Sequence, residues 1–121
     1  MLIKTSELTG PTLRWAVAQC EGLAYRNDEK YGQMHFRPAA TEGSVTWDNR
    51  PLHYSTDWSQ GGPIIERERI DLECSFEGAD WSAMSSTRKV GSGPTPLIAA
   101  MRCYVASKLG DEVDVPEELK P

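Results

Sequence analysis

Arg102 is the residue whose position in the chain points most directly to chemistry. In the helix predicted near the end of the chain, a projection at about 100° per residue places Arg102 within about 40° of Ile98, on the apolar stripe. Its guanidinium stays charged at ordinary pH, and burying it without a partner is costly. Three outcomes satisfy it: a salt bridge to Asp57, Glu66 or Glu68, a bond to the phosphate or carboxylate of a ligand, or extension of the side chain to solvent.

A segment rich in hydroxyls, amides and glycines, residues 55–63, is the second candidate for binding. Gly61 and Gly62 let a backbone approach a ligand closely, and free N–H groups near the start of a helix bind anions. Trp58 has the flat ring that stacks on a nucleobase. The competing interpretation is an ordinary loop in which Trp58 fills the core. No Gly-Lys-Ser or Gly-Lys-Thr follows, so the segment is not a P-loop.

A shorter glycine-rich stretch, residues 91–95, precedes the predicted last helix as a phosphate-binding loop would. Pro94 and Pro96 lack the N–H donors that such a loop uses, which weakens this interpretation. We expect the last helix to turn Arg102 toward Trp58, so that one pocket forms. The predicted ligand-binding residues are Thr56, Asp57, Trp58, Gln60, Gly61, Gly62, Thr95 and Arg102.

The sequence offers little for catalysis. The two histidines, His35 and His53, are predicted to be loop residues, and no metal-ligand spacing accompanies them. No motif supports a pairing of serine or cysteine with histidine. We therefore predict no catalytic residue, no metal site and no cofactor.

Length and composition favour one domain. The chain has 121 residues, of which 39% are hydrophobic and 26% charged, which excludes a disordered chain. No run approaches the roughly 18 apolar residues of a membrane span, so no membrane partner is expected. Three cysteines are an odd number without CxxC spacing and indicate a reducing cytoplasm rather than a disulfide framework.

The acidity of the chain is concentrated at its end. The formal net charge is −5, and the residues after Gly110 hold five acids against one lysine. The body is therefore nearly neutral and shows no basic stripe, so duplex DNA is not an expected partner. We predict a compact domain over residues 1–110, followed by a solvated acidic tail over residues 111–121.

The elements that position these residues follow from periodicity and local signals. A short strand at MLIK precedes a helix that begins near Pro11 and buries Leu13, Ala16, Val17 and Cys20. Residues 70–76 alternate apolar and polar side chains, which predicts a hairpin with residues 81–84. Residues 61–68 are predicted to form either a short helix with Pro63 at its first position, which we favour, or an irregular entry to the hairpin.

The last predicted helix lies between Pro96 and Gly110, with a buried stripe of Ile98, Met101, Val105 and Leu109. The predicted fold class is α+β, a small antiparallel sheet with two main helices packed on one face. Trp15 falls opposite the apolar stripe of the first helix. We therefore expect it outside the main core, in a self-association interface or at a ligand site.

Three stretches resemble the NinX-like proteins of tailed phages: LIKTSELTGPTLRWAVAQCEG, STDWSQGGPIIERERI and GPTPLIAAMRCYVASKLGDEVDVPEEL. Together they cover more than half of the chain. The resemblance implies a phage origin and a location in the host bacterial cytoplasm. It implies no activity and no catalytic residues.

Three function classes agree with these residues. The first is a binding protein that sequesters a small nucleotide-like molecule, such as a host immune signal, without catalysis. The second is an adaptor or inhibitor that binds a host or phage protein through Trp15 and the acidic tail. The third is a nucleotide-processing enzyme. We favour the first, because its residues lie in the most specific motifs.

Overall fold

A computed structural model describes residues 1–28, 30, 32–38, 45–47, 53–75, 78 and 80–119. The α-helices in these residues are α1 (Gly10–Cys20), α2 (Trp58–Glu68) and α3 (Pro96–Leu109), and 3₁₀ turns cover Thr5–Glu7 and Glu117–Leu119. The strands are β1 (Leu2–Lys4), β2 (Ala24–Asp28), β3 (Gly32–Pro38), β4 (Val45–Trp47), β5 (Asp71–Cys74), β6 (Trp81–Met84), β7 (Val90–Gly93) and β8 (Glu112–Asp114). They form antiparallel sheets in the orders β1-β8, β2-β3-β4 and β5-β6-β7, which confirms the predicted α+β class.

Helix α3 begins and ends where the sequence predicts. The Thr95 hydroxyl accepts a hydrogen bond from the Ile98 amide at 3.2 Å, and Pro96 occupies the first helical position, where no N–H is needed. Gly110, with φ of +92°, ends the helix in a conformation that favours glycine.

The predicted single stripe on α3 is wrong, because this helix lies at the centre of the fold. At about 100° per residue, its buried residues cover every side of the helix except the side of Ile98, Arg102 and Leu109. They are Leu97, Ala99, Ala100, Met101, Cys103, Tyr104, Val105 and Ala106. Leu109, predicted to be buried, is 41% exposed. Helices α1 and α2 and the β5-β6-β7 sheet all pack against α3, so its buried surface is much wider than one stripe.

The predicted hairpin is confirmed as β5 and β6, and the sequence missed the third strand, β7. Residues 91–93, predicted as part of a phosphate-binding loop, belong to this strand. A Cβ at Gly91 would overlap the Ala99 carbonyl and the Cys103 amide of α3. Glycine is therefore required where this sheet and α3 approach each other most closely.

The acidic end of the chain packs onto the body. Strand β8 pairs with β1, and the Val115 amide donates to the Met1 carbonyl at 2.8 Å. Val115 is fully buried, and Val113 and Leu119 are nearly so. The predicted solvated tail is therefore wrong for residues 112–119, because three apolar side chains among the acids belong to the core.

Helix α2 begins earlier than predicted, at Trp58, and contains Pro63 in its interior. Its N-cap is Asp57, whose Oδ1 accepts bonds from the Ser59 amide at 2.9 Å and from the Ser59 hydroxyl at 2.6 Å. A side chain that satisfies the first amides of a helix is a strong start signal.

A charged cluster joins the C-terminal ends of the three helices. Arg67 of α2 donates from Nη1 and Nη2 to the two carboxylate oxygens of Glu21, at 3.3 and 3.0 Å, and from Nε to Glu68. The hydroxyl of Tyr104 on α3 lies 3.1 Å from Arg67 Nη2 and 3.2 Å from Glu21. Burial raises the pKa of Tyr104 above its ordinary value, and the nearby Glu21 carboxylate raises it further. We regard this cluster as a structural connection between the helices.

Candidate ligand-binding cleft

A surface cleft of about 310 Å³ lies beside Arg102, and we call it the Arg102 cleft. Its lining residues come from the start of the chain, from β7, from α3 and from the turn that follows α3. They are Lys4, Thr5, Ser6, Val90, Gly91, Ser92, Arg102, Ala106, Asp111 and Glu112. The pairing of β1 with β8 brings residues 4 and 112 together, so both ends of the chain build one cleft.

Arg102 is held by two main-chain carbonyls. Its Nε donates to the Leu8 carbonyl at 2.8 Å, and its Nη1 donates to the Ser92 carbonyl at 2.9 Å. Partial burial lowers the pKa of Arg102, although a guanidinium remains charged at neutral pH. The two carbonyls fix its orientation, and among the residues that the structure describes its charge has no counterion.

The internal salt bridge predicted for Arg102 is not found among the described residues. Asp57 caps α2, and Glu68 pairs with Arg67 and Lys108. No carboxylate in the described part of the chain pairs with Arg102. The sequence indicated correctly that this residue is partly buried, but it could not show that neutral carbonyls hold it.

The outer edge of β7 faces the Arg102 cleft. The Ser85 amide bonds to the Lys89 carbonyl, and hydrogen-bonded pairs alternate along two antiparallel strands. Ser92, three residues after Lys89, therefore directs both its amide and its carbonyl away from β6. The Lys89 carbonyl, in contrast, accepts from Ser85 on the inner side at 2.8 Å. The cleft is therefore lined by a main-chain N–H donor as well as by the guanidinium.

The charges around the cleft are mixed. Lys4 lies opposite Glu112 in the β1-β8 register, and Lys89 Nζ lies 3.8 Å from Asp111 Oδ1. The Thr5 hydroxyl donates to the Gly110 carbonyl at 2.6 Å and thus has a structural role. An anion would meet two cations, Lys4 and Arg102, close to two carboxylates.

The other predicted ligand-binding residues lie elsewhere. Gln60 Oε1 accepts from the His53 amide at 2.6 Å, and Trp58 is 53% exposed. Gly61 is buried, and a Cβ there would overlap the Tyr54 carbonyl. The hydrogen bonds from Ser59 hold the pKa of Asp57 below its ordinary value. These contacts account for the start of α2 without a ligand.

The structure does not bring this segment and Arg102 into one cleft. Gly61 packs against Leu97, which precedes Arg102 by five residues on α3. Five residues of helix correspond to about 140° of rotation and about 7.5 Å of rise, so the two side chains leave α3 in different directions. None of residues 56–62 lines the Arg102 cleft, and Thr95 is the N-cap of α3. Ligand binding by residues 56–62 stays a prediction, without the shared pocket.

Trp15 is half-buried and packs against the core cluster that includes Leu13 and Val17. It is therefore less exposed than predicted, because the side chain lies against the body. A role in self-association stays a prediction.

Sequence reasoning missed the cleft residues that come from the chain ends. The alternation of Val113 and Val115 with acidic residues is the period-two signal that would have identified β8. With β8 placed beside the predicted strand at the start of the chain, Lys4 and Glu112 become neighbours.

The described residues contain no helix long and apolar enough to cross a membrane. Nor does the described part of the chain place three histidine, cysteine or acidic side chains where they could hold a metal ion.

A comparison with curated protein sequences finds no match. A family model described as Bacteriophage P22, NinX matches residues 4–108, which include Lys4, the whole of β7 and Arg102. Because this match covers most of the chain, the protein belongs to the Bacteriophage P22 NinX family.

Proposed function

We propose that this phage protein binds a small nucleotide-like anion in the Arg102 cleft and sequesters it unchanged in the cytoplasm of the host bacterium. The ligand we favour is a host signalling nucleotide, which sequestration would keep from its receptor. The observation that carries the proposal is the guanidinium of Arg102, which has two neutral carbonyl partners and no carboxylate partner among the described residues.

The unused donors of Arg102 support an anionic ligand. A guanidinium has five N–H donors, and the Leu8 and Ser92 carbonyls take one each. No described residue accepts a bond from Nη2. Two parallel N–H···O bonds to a phosphate or carboxylate are the interaction to which a guanidinium is best suited. Lys4, which also lines the cleft, adds a second cation.

The size of the cleft favours a small ligand. Pockets for ligands of drug size are about 300–1,000 Å³, and the Arg102 cleft, at about 310 Å³, lies at the lower end. A mononucleotide or one half of a dinucleotide matches this volume better than a larger molecule does.

Thermal melts with a panel of mononucleotides, cyclic nucleotides and ADP-ribose derivatives test the proposal. A ligand present at 100 times its dissociation constant stabilises the folded state by about 2.7 kcal/mol. Chromatography of the ligand released by denaturation should then recover it unaltered. A ligand recovered in altered form would instead identify an enzyme.

Variants at Arg102 locate the site. Arg102→Met should abolish the ligand-induced rise in melting temperature, while Arg102→Lys keeps a cation but loses the paired donors and should bind more weakly. Arg69→Met is the matched control, because it removes an exposed arginine at the end of α2. A panel in which no compound stabilises the parent protein, or equal binding by the parent and Arg102→Met, rejects the proposal.

A further inference from the structure

The lining of the Arg102 cleft divides into two kinds of polar group. Lys4, Arg102 and the outward amide of Ser92 are donors suited to an anion. Asp111 and Glu112 are carboxylates, which accept hydrogen bonds and repel anions. A ligand that satisfies both kinds must have an anionic group and also hydrogen-bond donors of its own.

The two carboxylates are available for such a ligand. Both side chains are exposed, and Glu112 makes no ion pair among the described residues. Asp111 has a single long contact of 3.8 Å with Lys89. A carboxylate beside a nucleotide-binding site commonly accepts a hydrogen bond from a ribose hydroxyl. A sugar with neighbouring hydroxyls therefore matches this side of the cleft.

The described lining contains no aromatic side chain on which a base could stack. Its only side chains without a polar group, apart from glycine, are Val90 and Ala106, and Val90 is 57% exposed. The exposed Trp58 belongs to α2 and is not part of the lining. Stacking on an aromatic side chain contributes about 5- to 150-fold in affinity per base, and this cleft forgoes that contribution.

We infer that the Arg102 cleft recognises the ribose-phosphate part of a nucleotide and does not distinguish its base. The inference rests on the proposed function, because it names the part of the ligand that the same site binds. Arg102 and the Ser92 amide donate to the phosphate, and Asp111 and Glu112 accept from the sugar hydroxyls. Because the two carboxylates repel a highly charged anion, we expect the cleft to bind a nucleoside monophosphate more tightly than a nucleoside triphosphate.

Titration calorimetry with separate parts of a nucleotide tests the inference. We expect AMP, GMP, CMP and UMP to bind within about threefold of one another, because no base stacks. Ribose 5-phosphate should bind within about tenfold of AMP, and 2-deoxyribose 5-phosphate should bind more weakly than ribose 5-phosphate, since it has lost a donor. Adenosine should not bind, and ATP should bind more weakly than AMP.

A double variant, Asp111→Asn with Glu112→Gln, separates the two kinds of polar group. It should weaken the binding of ribose 5-phosphate, because the carboxylates that accept from the sugar hydroxyls are lost. It should strengthen the binding of inorganic phosphate, because the repulsion between these carboxylates and an anion is lost as well. Glu117→Gln removes an exposed carboxylate outside the lining and should change neither affinity. Thermal melts of all variants verify that each is folded.

Three results would overturn the inference while leaving the proposed function intact. The first is a preference of more than about 30-fold between bases, which is the size of a stacking contribution. The second is binding of AMP without binding of ribose 5-phosphate. The third is that the double variant has the same affinities as the parent protein. Failure of every phosphorylated compound to bind the parent protein overturns both the inference and the proposed function.

Discussion

Arg102 Nη1 donates to the main-chain carbonyl of Ser92 at 2.9 Å, across the space between α3 and the outer edge of β7. An edge strand ordinarily leaves such carbonyls to water or to another strand. Here a side chain from the central helix takes the carbonyl, and its Nε takes the Leu8 carbonyl as well. One residue thus fixes three segments around the cleft and at the same time supplies its charge.

Replacement of Arg102 should destabilise the protein even without a ligand. Arg102→Met removes the donor of the partly buried Leu8 carbonyl, and an unsatisfied buried polar group costs about 1–3 kcal/mol, whereas the exposed Ser92 carbonyl can bond to water instead. Urea denaturation measures the change in the free energy of unfolding. The control Arg69→Met, at an exposed site, should stay within about 0.5 kcal/mol of the parent. An unchanged stability for Arg102→Met would show that water replaces the guanidinium at both carbonyls.

Deletion of residues 112–121 should unfold or severely weaken the protein. The deletion removes β8 together with Val113, Val115 and Leu119, and burial of one such side chain contributes about 1.5–3 kcal/mol. We expect a loss above about 4 kcal/mol, which thermal and urea melts would detect. Glu117→Gln, an exposed change in the same segment, should have little effect. A truncated chain with the stability of the parent would mean that β8 is dispensable.

Local signals predicted α3 and the β5-β6 hairpin well, because their causes lie within a few residues. Pro96 and Gly110 define α3, and the alternation from Ile70 through Cys74 defines β5. The burial of α3 on most of its sides could not be predicted in the same way. This burial depends on which elements pack around the helix. The small alanines of α3 do not indicate which side of the helix is buried.

The cleft was largely invisible in the sequence, because it forms from residues far apart in the chain. Lys4 and Glu112 meet only through the pairing of the two ends, a non-local contact that no local pattern specifies. The acidic residues after Gly110 suggested a solvated tail and concealed the apolar Val113 and Val115 between them. Arg102 itself was found, because a charge on an apolar stripe is a strong local anomaly.

Gly91→Ala should be strongly destabilising. The added Cβ would overlap main-chain atoms of Ala99 and Cys103, which cannot move without shifting α3. We expect a loss of at least about 2 kcal/mol, as in other overpacked cores. Ser92→Ala, at the exposed neighbour in the same strand, serves as the control and should stay within about 0.5 kcal/mol of the parent. Chemical denaturation measures the free energy of unfolding of both variants. Equal stabilities of Gly91→Ala and Ser92→Ala would contradict the close approach of β7 to α3.

The three cysteines should differ sharply in their reactivity toward a disulfide reagent. Cys74 is exposed, Cys103 is fully buried, and Cys20 is partly buried. Burial raises the pKa of Cys20 to about 12, with the Glu21 carboxylate adding to the effect, and burial also raises the pKa of Cys103. Because the thiolate is the reactive form, we expect one fast thiol at pH 8, which Cys74→Ser should remove.

The raised pKa of Cys20 also predicts a loss of stability in alkaline solution. The folded state keeps the Cys20 proton up to about pH 12, whereas an unfolded chain releases it near 9.0, so the folded state binds more protons between these values. The contribution is complete below about pH 9 and declines as the pH rises toward 12. Urea melts at pH 7, 9 and 10.5 should show a decline that is smaller in Cys20→Ala than in the parent. An equal decline in both proteins would assign the alkaline sensitivity to other groups, such as the buried Tyr104 hydroxyl, whose pKa is raised as well.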